Sequence, residues 1–230
     1  MKTLYLLLDI GVILFPVLLS FDKKVHYVSE WKYVLGAIFF IGLPFLIHDY
    51  CFTHMGIWGF NPDYLTGSYI GNLPIEEVLF FVVVPFSCVF IHQCCQAYFN
   101  RIDFSRFNQL IYAVIFIYCG VIFFVGMGAW YSTMVAIVAV WLWSFLVYNR
   151  NKYPYLPIAF VLSMIPFFMM NGVLTGGLTV EPIVWYNNLE NIGFRWWTIP
   201  AEDILYSFVL IGGNIIVFNY LSKRKEAMNN

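Results

Sequence analysis

In a chain of 230 residues only 11% are charged and 61% are hydrophobic, with a mean hydropathy of +0.77. A soluble domain carries roughly 25% charged residues, so this composition excludes a soluble globular protein and predicts an all-α integral membrane protein. The net charge is −1 and no basic block occurs, which excludes a nucleic-acid partner.

A membrane-spanning helix needs about 20 predominantly apolar residues, and seven such segments are predicted in chain order. The first covers about 3–21 and carries a single acid, Asp9, about two turns from its start. One lysine precedes it, no small-residue cleavage site closes it and "FDKKVHY" follows, so it reads as a helix and not as a cleavable signal peptide. The second covers about 31–48, with Lys32 snorkelling at its edge and Asp49 at its outer end. The third, about 74–97, opens with "NLPIEEVLFF". The uncharged stretch Phe107–Asn149 is too long for one span and breaks at "GMGAWYST", giving helices at about 108–126 and 131–149. The sixth covers about 154–172, and the seventh, about 200–221, opens with "TIPAEDILYS". The basic end "SKRKEAMNN" reads as a disordered tail, 223–230. Cys51, Cys88, Cys94, Cys95 and Cys119 show no metal spacing and read as packing residues.

With these spans, Lys2 and Arg195 fall on the side of the N-terminus and ten other Lys and Arg residues on the opposite side. Positive charge marks the cytoplasmic side. The N-terminus is expected outside, and the C-terminus in the cytoplasm of a cell that holds the protein in its cell membrane.

The two acidic words are related. A shift of 126 residues lays Ile57 on Ile183, Asn61 on Asn187, Gly67 on Gly193, Pro74 on Pro200, Glu76 on Glu202 and Leu79 on Leu205 without a gap. Glu77 then meets Asp203, and Phe80 meets Tyr206. The same shift lays helix one on five, two on six and three on seven. The expected organisation is therefore 3+1+3: a first repeat over 1–104, a linker helix in 105–128 and a second, parallel repeat over 129–222. Both acidic pairs then lie at the same depth, near a cavity shared by the halves.

Glu76, Glu77, Glu202 and Asp203 are the candidate catalytic residues. The bland reading is that acids in a first helical turn, after a proline, answer the helix dipole. Duplication of an adjacent pair argues for more. Neighbouring helical positions point about 100° apart, so one acid of each pair can face the bundle. Identity between the halves favours Glu76 and Glu202 as the inward ones. Ionisable groups at membrane depth are functional candidates, and two carboxyls in one dry pocket suit general acid–base work.

The connecting segments 47–71 and 171–197 are too long for tight turns, are rich in Trp, Tyr, Asn and Gly, and are expected to form a lid. An interfacial aromatic belt accounts for part of this composition. Trp58, Asn61 and Tyr64 in the first segment and Asn187, Arg195 and Trp196 in the second are candidates to bind or support a substrate, with Phe80 and Tyr206 beside the acids. Asp9 and Asp49 either join the carboxylate cluster or serve as an edge acid and a cap. Arg195 either pairs with an inward carboxylate or sits in water. Aromatic faces stabilise cations by roughly 0.5–2 kcal/mol, so such rings suit a site where a carbocation forms. His48 and His54 beside Asp49 are too few for a membrane di-iron centre, and neither a dinucleotide fingerprint, a P-loop nor a nucleophile elbow occurs. No metal and no cofactor are expected.

The words "PIEE" and "PAED" resemble the paired P-x-E-[ED] motifs of the membrane-embedded, non-flavin lycopene cyclases, in the fused single-chain form of the two-subunit type. "FPVLLSF", "GIWGFNPDYLTG", "LPIEEVLFF", "VWYNN" and "IPAEDILY" extend the resemblance over nearly the whole chain. It implies a cofactor-free enzyme, an intramolecular lyase or isomerase of carotenoid biosynthesis. Such an enzyme acts on lycopene or a related linear carotenoid in the bilayer, closing its ψ-end groups to β-rings. Carotenoid-pathway enzymes or a second copy of the chain are the candidate protein partners. The acid role then falls to Glu76 or Glu202, with Glu77 and Asp203 as base or as orienting groups. Two rivals remain: a small-molecule transporter of 3+1+3 plan, which in its known sugar-carrying form has Pro-Gln pairs that this chain lacks, and a non-catalytic carotenoid- or retinal-binding protein.

Overall fold

The computed structural model describes residues 2–229, with side chains as far as Lys223. Seven helices carry the fold: α1 (Leu4–Leu19), α2 (Trp31–His54), α3 (Ile75–Tyr98), α4 (Ser105–Val125), α5 (Trp130–Tyr148), α6 (Leu156–Leu174) and α7 (Glu202–Asn229). From α2 to α7, each is long and apolar enough to cross a bilayer, and the protein is an all-α multi-pass membrane protein. With 16 residues, α1 is shorter than a full span. It stops where the Ser20 hydroxyl turns back to the Pro16 carbonyl (2.6 Å).

Two boundaries differ from the sequence expectation. Helix α2 continues past position 48 to His54, so Asp49 sits within the helix and not at its end. An acid is tolerated there because it is buried (2% exposed) and accepts a hydrogen bond from the Trp58 indole (2.5 Å). The backbone of α7 continues to Asn229. The side chains of the expected basic tail from position 224 onward lie outside the described residues.

The two helices that begin with the acidic words are the central ones. Helix α3 packs on α1, α2, α6 and α7, while α7 packs on α2, α5, α6 and α3. Helix α4 packs mainly against α5. Ala37, Ala139 and Ala159 are fully buried, and such small residues let helices in lipid approach closely. Phe39, Phe40, Phe124 and Trp141 point outward, where a lipid-facing surface puts large apolar side chains.

The connecting segments contain six very short strands: β1 (Trp58–Phe60), β2 (Tyr69–Ile70), β3 (Leu73–Pro74), β4 (Val184–Tyr186), β5 (Arg195–Trp196) and β6 (Ile199–Pro200). Strands of two or three residues are too short for an alternating pattern to register in the sequence. The β1–β4 pair is antiparallel and joins the two segments to each other, with Gly59 opposite Trp185. The β2–β3 pair (Tyr69 opposite Pro74) and the β5–β6 pair (Arg195 opposite Pro200) are local antiparallel ribbons. Their positions correspond at a spacing of 126. So do two amide bonds of 2.8 Å, from Asn61 to the Ile183 carbonyl and from Asn187 to the Ile57 carbonyl. Gly67 and Gly193, also 126 apart, both adopt positive φ (88° and 73°), a conformation that favours glycine.

Candidate active site

Beneath the β1–β4 pair lies an apolar cavity of about 950 Å³, walled by α1, α3, α6 and α7. Three carboxylates reach it: Glu77 from α3, Asp203 from α7 and Asp49 from α2. Apart from Ser87, Ser163, Asn171 and Ser207, the rest of its wall is apolar or aromatic, with Trp58, Phe80, Tyr131, Tyr186 and Tyr206 among the lining rings. Trp58 lies 5.2 Å from Tyr131, 6.0 Å from Tyr186 and 6.4 Å from Tyr206 between ring centroids, so these rings form one cluster.

The hydrogen bonds of the three acids differ. Glu77 accepts from the Tyr5 hydroxyl at one oxygen (2.7 Å). Asp203 accepts three: from the Tyr131 hydroxyl (2.5 Å) at Oδ1, and from the Asn171 amide (2.8 Å) and the Tyr186 hydroxyl (3.0 Å) at Oδ2. Burial, and next the charge of Asp203, push the Tyr186 hydroxyl well above its ordinary value, so Tyr186 remains a donor. Asp49 holds the Trp58 indole at Oδ1, and its Oδ2 is buried without a partner.

The expectation that Glu76 and Glu202 face inward is corrected. Both are fully buried, but they point to the connecting segments. Glu76 accepts the Thr66 backbone amide (2.7 Å) and Glu202 the Ile192 amide (2.7 Å), with the Ser132 hydroxyl also on Glu202 (2.5 Å). The two amides are again 126 residues apart. The 100° step of the helix does divide each pair, but the direction is set by the loop amides, which need buried acceptors. Identity between the halves therefore marks the loop-binding acids, while Glu77 and Asp203 line the cavity.

The remaining sequence candidates divide. Trp58, Phe80, Tyr206 and Asp49 line the cavity. Asp9 is buried with both carboxyl oxygens lacking a partner, and it does not line the cavity. Asn61 receives the Asp63 amide (3.0 Å) and Asn187 the Leu189 amide (3.1 Å), so their side chains shape turns. Tyr64 packs against a small buried cluster that contains Tyr5 and Leu65. Arg195 reaches the Thr198 carbonyl (3.0 Å) and the Asn188 side chain (2.9 Å), neither of them an inward carboxylate. Trp196 is turned outward and donates to the Tyr118 hydroxyl (3.0 Å). His48 packs at a tilt against Phe52 (3.9 Å between centroids).

Sequence reading missed Tyr5, Tyr131, Asn171, Tyr186 and Trp197, all of which line the cavity. A signal for the first two existed, because the same shift of 126 lays Tyr5 on Tyr131, and each donates to the inner acid of its half. Trp197 wedges against two glycines. A Cβ on Gly172 would lie 2.3 Å, and one on Gly177 2.4 Å, from its ring.

These features define a class: a multi-pass helical membrane protein with a carboxylate-bearing, aromatic cavity open to an apolar ligand. Comparison with family models matches the lycopene cyclase family over residues 2–95 and 108–221, and the chain belongs to that family. It is accordingly a membrane cyclase of carotenoid biosynthesis, with a carotenoid as substrate. Searches among curated proteins and among solved structures found no match.

Proposed function

We propose that the protein is a lycopene β-cyclase, an intramolecular lyase or isomerase that closes ψ-end groups to β-rings. The observation that carries this reading is the convergence of Glu77 and Asp203 on one apolar, aromatic cavity. Glu77 is the acid. Its second oxygen takes no hydrogen bond and holds the proton delivered to C2 of the C1=C2 bond, leaving a tertiary cation at C1. The C5=C6 bond attacks C1, closes the six-membered ring and moves the cation to C5. Asp203 is the base. Its three donors suit a carboxylate, an acceptor at both oxygens, and it removes the C6 proton to form the C5=C6 bond of a β-ring. One proton enters and one leaves, so a return of the proton from Asp203 to Glu77 closes the cycle. The rings of Trp58, Tyr131, Tyr186 and Tyr206 stabilise the cation through their faces and exclude water that would trap it. Glu76 and Glu202 hold the lid segments over this chamber. Asp49, with one free oxygen, orients Trp58.

We further propose the 3+1+3 arrangement, with α1–α3 and α5–α7 as parallel repeats about α4, the N-terminus and lid outside, and residence in the cell membrane. The contacts that recur 126 residues apart support the repeat.

The test is expression in a bacterial host that accumulates lycopene, beside Glu77→Gln and Asp203→Asn, with the pigments separated by chromatography. Wild type is expected to yield γ- or β-carotene, and each variant to lose roughly 10²–10⁴-fold in rate. Unchanged lycopene with the wild-type protein well expressed in the membrane overturns the reading.

A further inference from the structure

The two halves enclose very different spaces. Applied to the cavity, the shift of 126 sends Leu8 and Val12 of α1 to Met134 and Val138 of α5, Asn171 and Leu174 of α6 to Phe45 and His48 of α2, and Phe80 to Tyr206. The counterpart residues do line a second pocket, but it measures only about 150 Å³. Tyr206 lines both spaces and narrows the small one, with its ring 5.0 Å from Phe45 and 6.0 Å from His48 between centroids. A space of roughly 150 Å³ holds benzene; a ψ-end group with its three methyls is larger. No carboxylate lines this pocket, whereas Asp49, Glu77 and Asp203 all line the large one.

The large cavity also has an open side. Leu7 (53% exposed) and Phe15 (66%) on α1, and Met169 (69%) on α6, belong to its wall yet face outward. Gly11 lies between the first two on α1, and a Cβ there would meet nothing within 4 Å. The rim is apolar throughout and leads towards the lipid-facing surface.

We propose that a linear polyene enters one end at a time, sideways from the bilayer through the slot between α1 and α6, so that its two ends are cyclised in separate binding events. The inference rests on the cyclase reading. One chamber holds one end group. A C40 polyene is about as long as a bilayer's hydrocarbon core is thick, about 30 Å, so its unreacted remainder trails through the slot into lipid. The counterpart space, only about 150 Å³, is too small to receive an end group. Cyclisation of the second end then requires release of the monocyclic product, reversal in the membrane and rebinding.

The experiment uses the full chain in lipid vesicles with isotopically labelled lycopene and an added pool of unlabelled monocyclic γ-carotene. Monocyclic product is expected first, followed after a lag by bicyclic product whose label is diluted by the added pool. Monocyclic product as the sole end point overturns the second binding event. Bicyclic product that appears without lag and with undiluted label overturns it while leaving the cyclase reading intact. Absence of any cyclised product overturns both. The slot is tested separately with Gly11→Phe, which is expected to lower turnover of lycopene about tenfold or more. Gly120→Phe on α4, where a Cβ is equally unobstructed, keeps wild-type turnover. Wild-type turnover in a folded Gly11→Phe protein overturns the slot.

Discussion

Glu76 and Glu77 are neighbours in the chain with opposite surroundings, and their substitution is expected to separate two roles. In Glu76→Gln the amide oxygen still accepts the Thr66 N–H, so the lid contact survives and activity stays within about tenfold of wild type. Glu77→Gln replaces a proton donor of the cavity with an amide that has no acidic proton, and activity falls far more. Pigment ratios from matched cultures read the difference. Equal loss in both variants removes the distinction between loop-binding and cavity-facing acids. The structure buries all four acids, and the doubled acidic word was legible in the sequence of a chain with few charges. Which of each pair turns inward was not, because it depends on backbone amides ten residues away in the chain.

At the scale of elements, seven apolar segments were read from uninterrupted apolar runs, since lipid demands about 20 apolar residues per helix; six of the helices are long enough to span a bilayer, and α1 is shorter. The end of α2 was misplaced because a buried, hydrogen-bonded Asp49 looks the same in sequence as an edge acid. The strands of the lid were invisible because none exceeds three residues. The lid's seat on α6 provides a measurable consequence. In Gly172→Val the new side chain collides with the ring of Trp197, which has to move from the cavity wall. A stability loss of about 1–3 kcal/mol is expected from such overpacking, read as a lower thermal midpoint in detergent, together with lower cyclase activity. An unchanged midpoint shows that Trp197 leaves its seat freely.

For the whole molecule, the proposed orientation puts the β1–β4 lid outside and the α3–α4 turn in the cytoplasm. In a cysteine-free background, cysteine at Leu189 (85% exposed) is expected to react with an impermeant maleimide in intact cells, and cysteine at Ile102 (51% exposed) only after permeabilisation. The reverse pattern inverts the topology. The sequence by itself determined the class, the approximate spans, the spacing of 126 and the family resemblance, because hydropathy, charge and repeated words are properties of short stretches. Only the tertiary structure decided that Glu77 and Asp203 share one chamber, that Tyr5, Tyr131, Asn171 and Tyr186 donate to them, and that the counterpart chamber is only about 150 Å³. Those facts depend on packing between helices distant in the chain. There, corresponding positions of the two halves carry side chains of different size, Asn171 opposite Phe45 and Leu174 opposite His48, and the two spaces are one large and one small where the repeat alone suggests two alike.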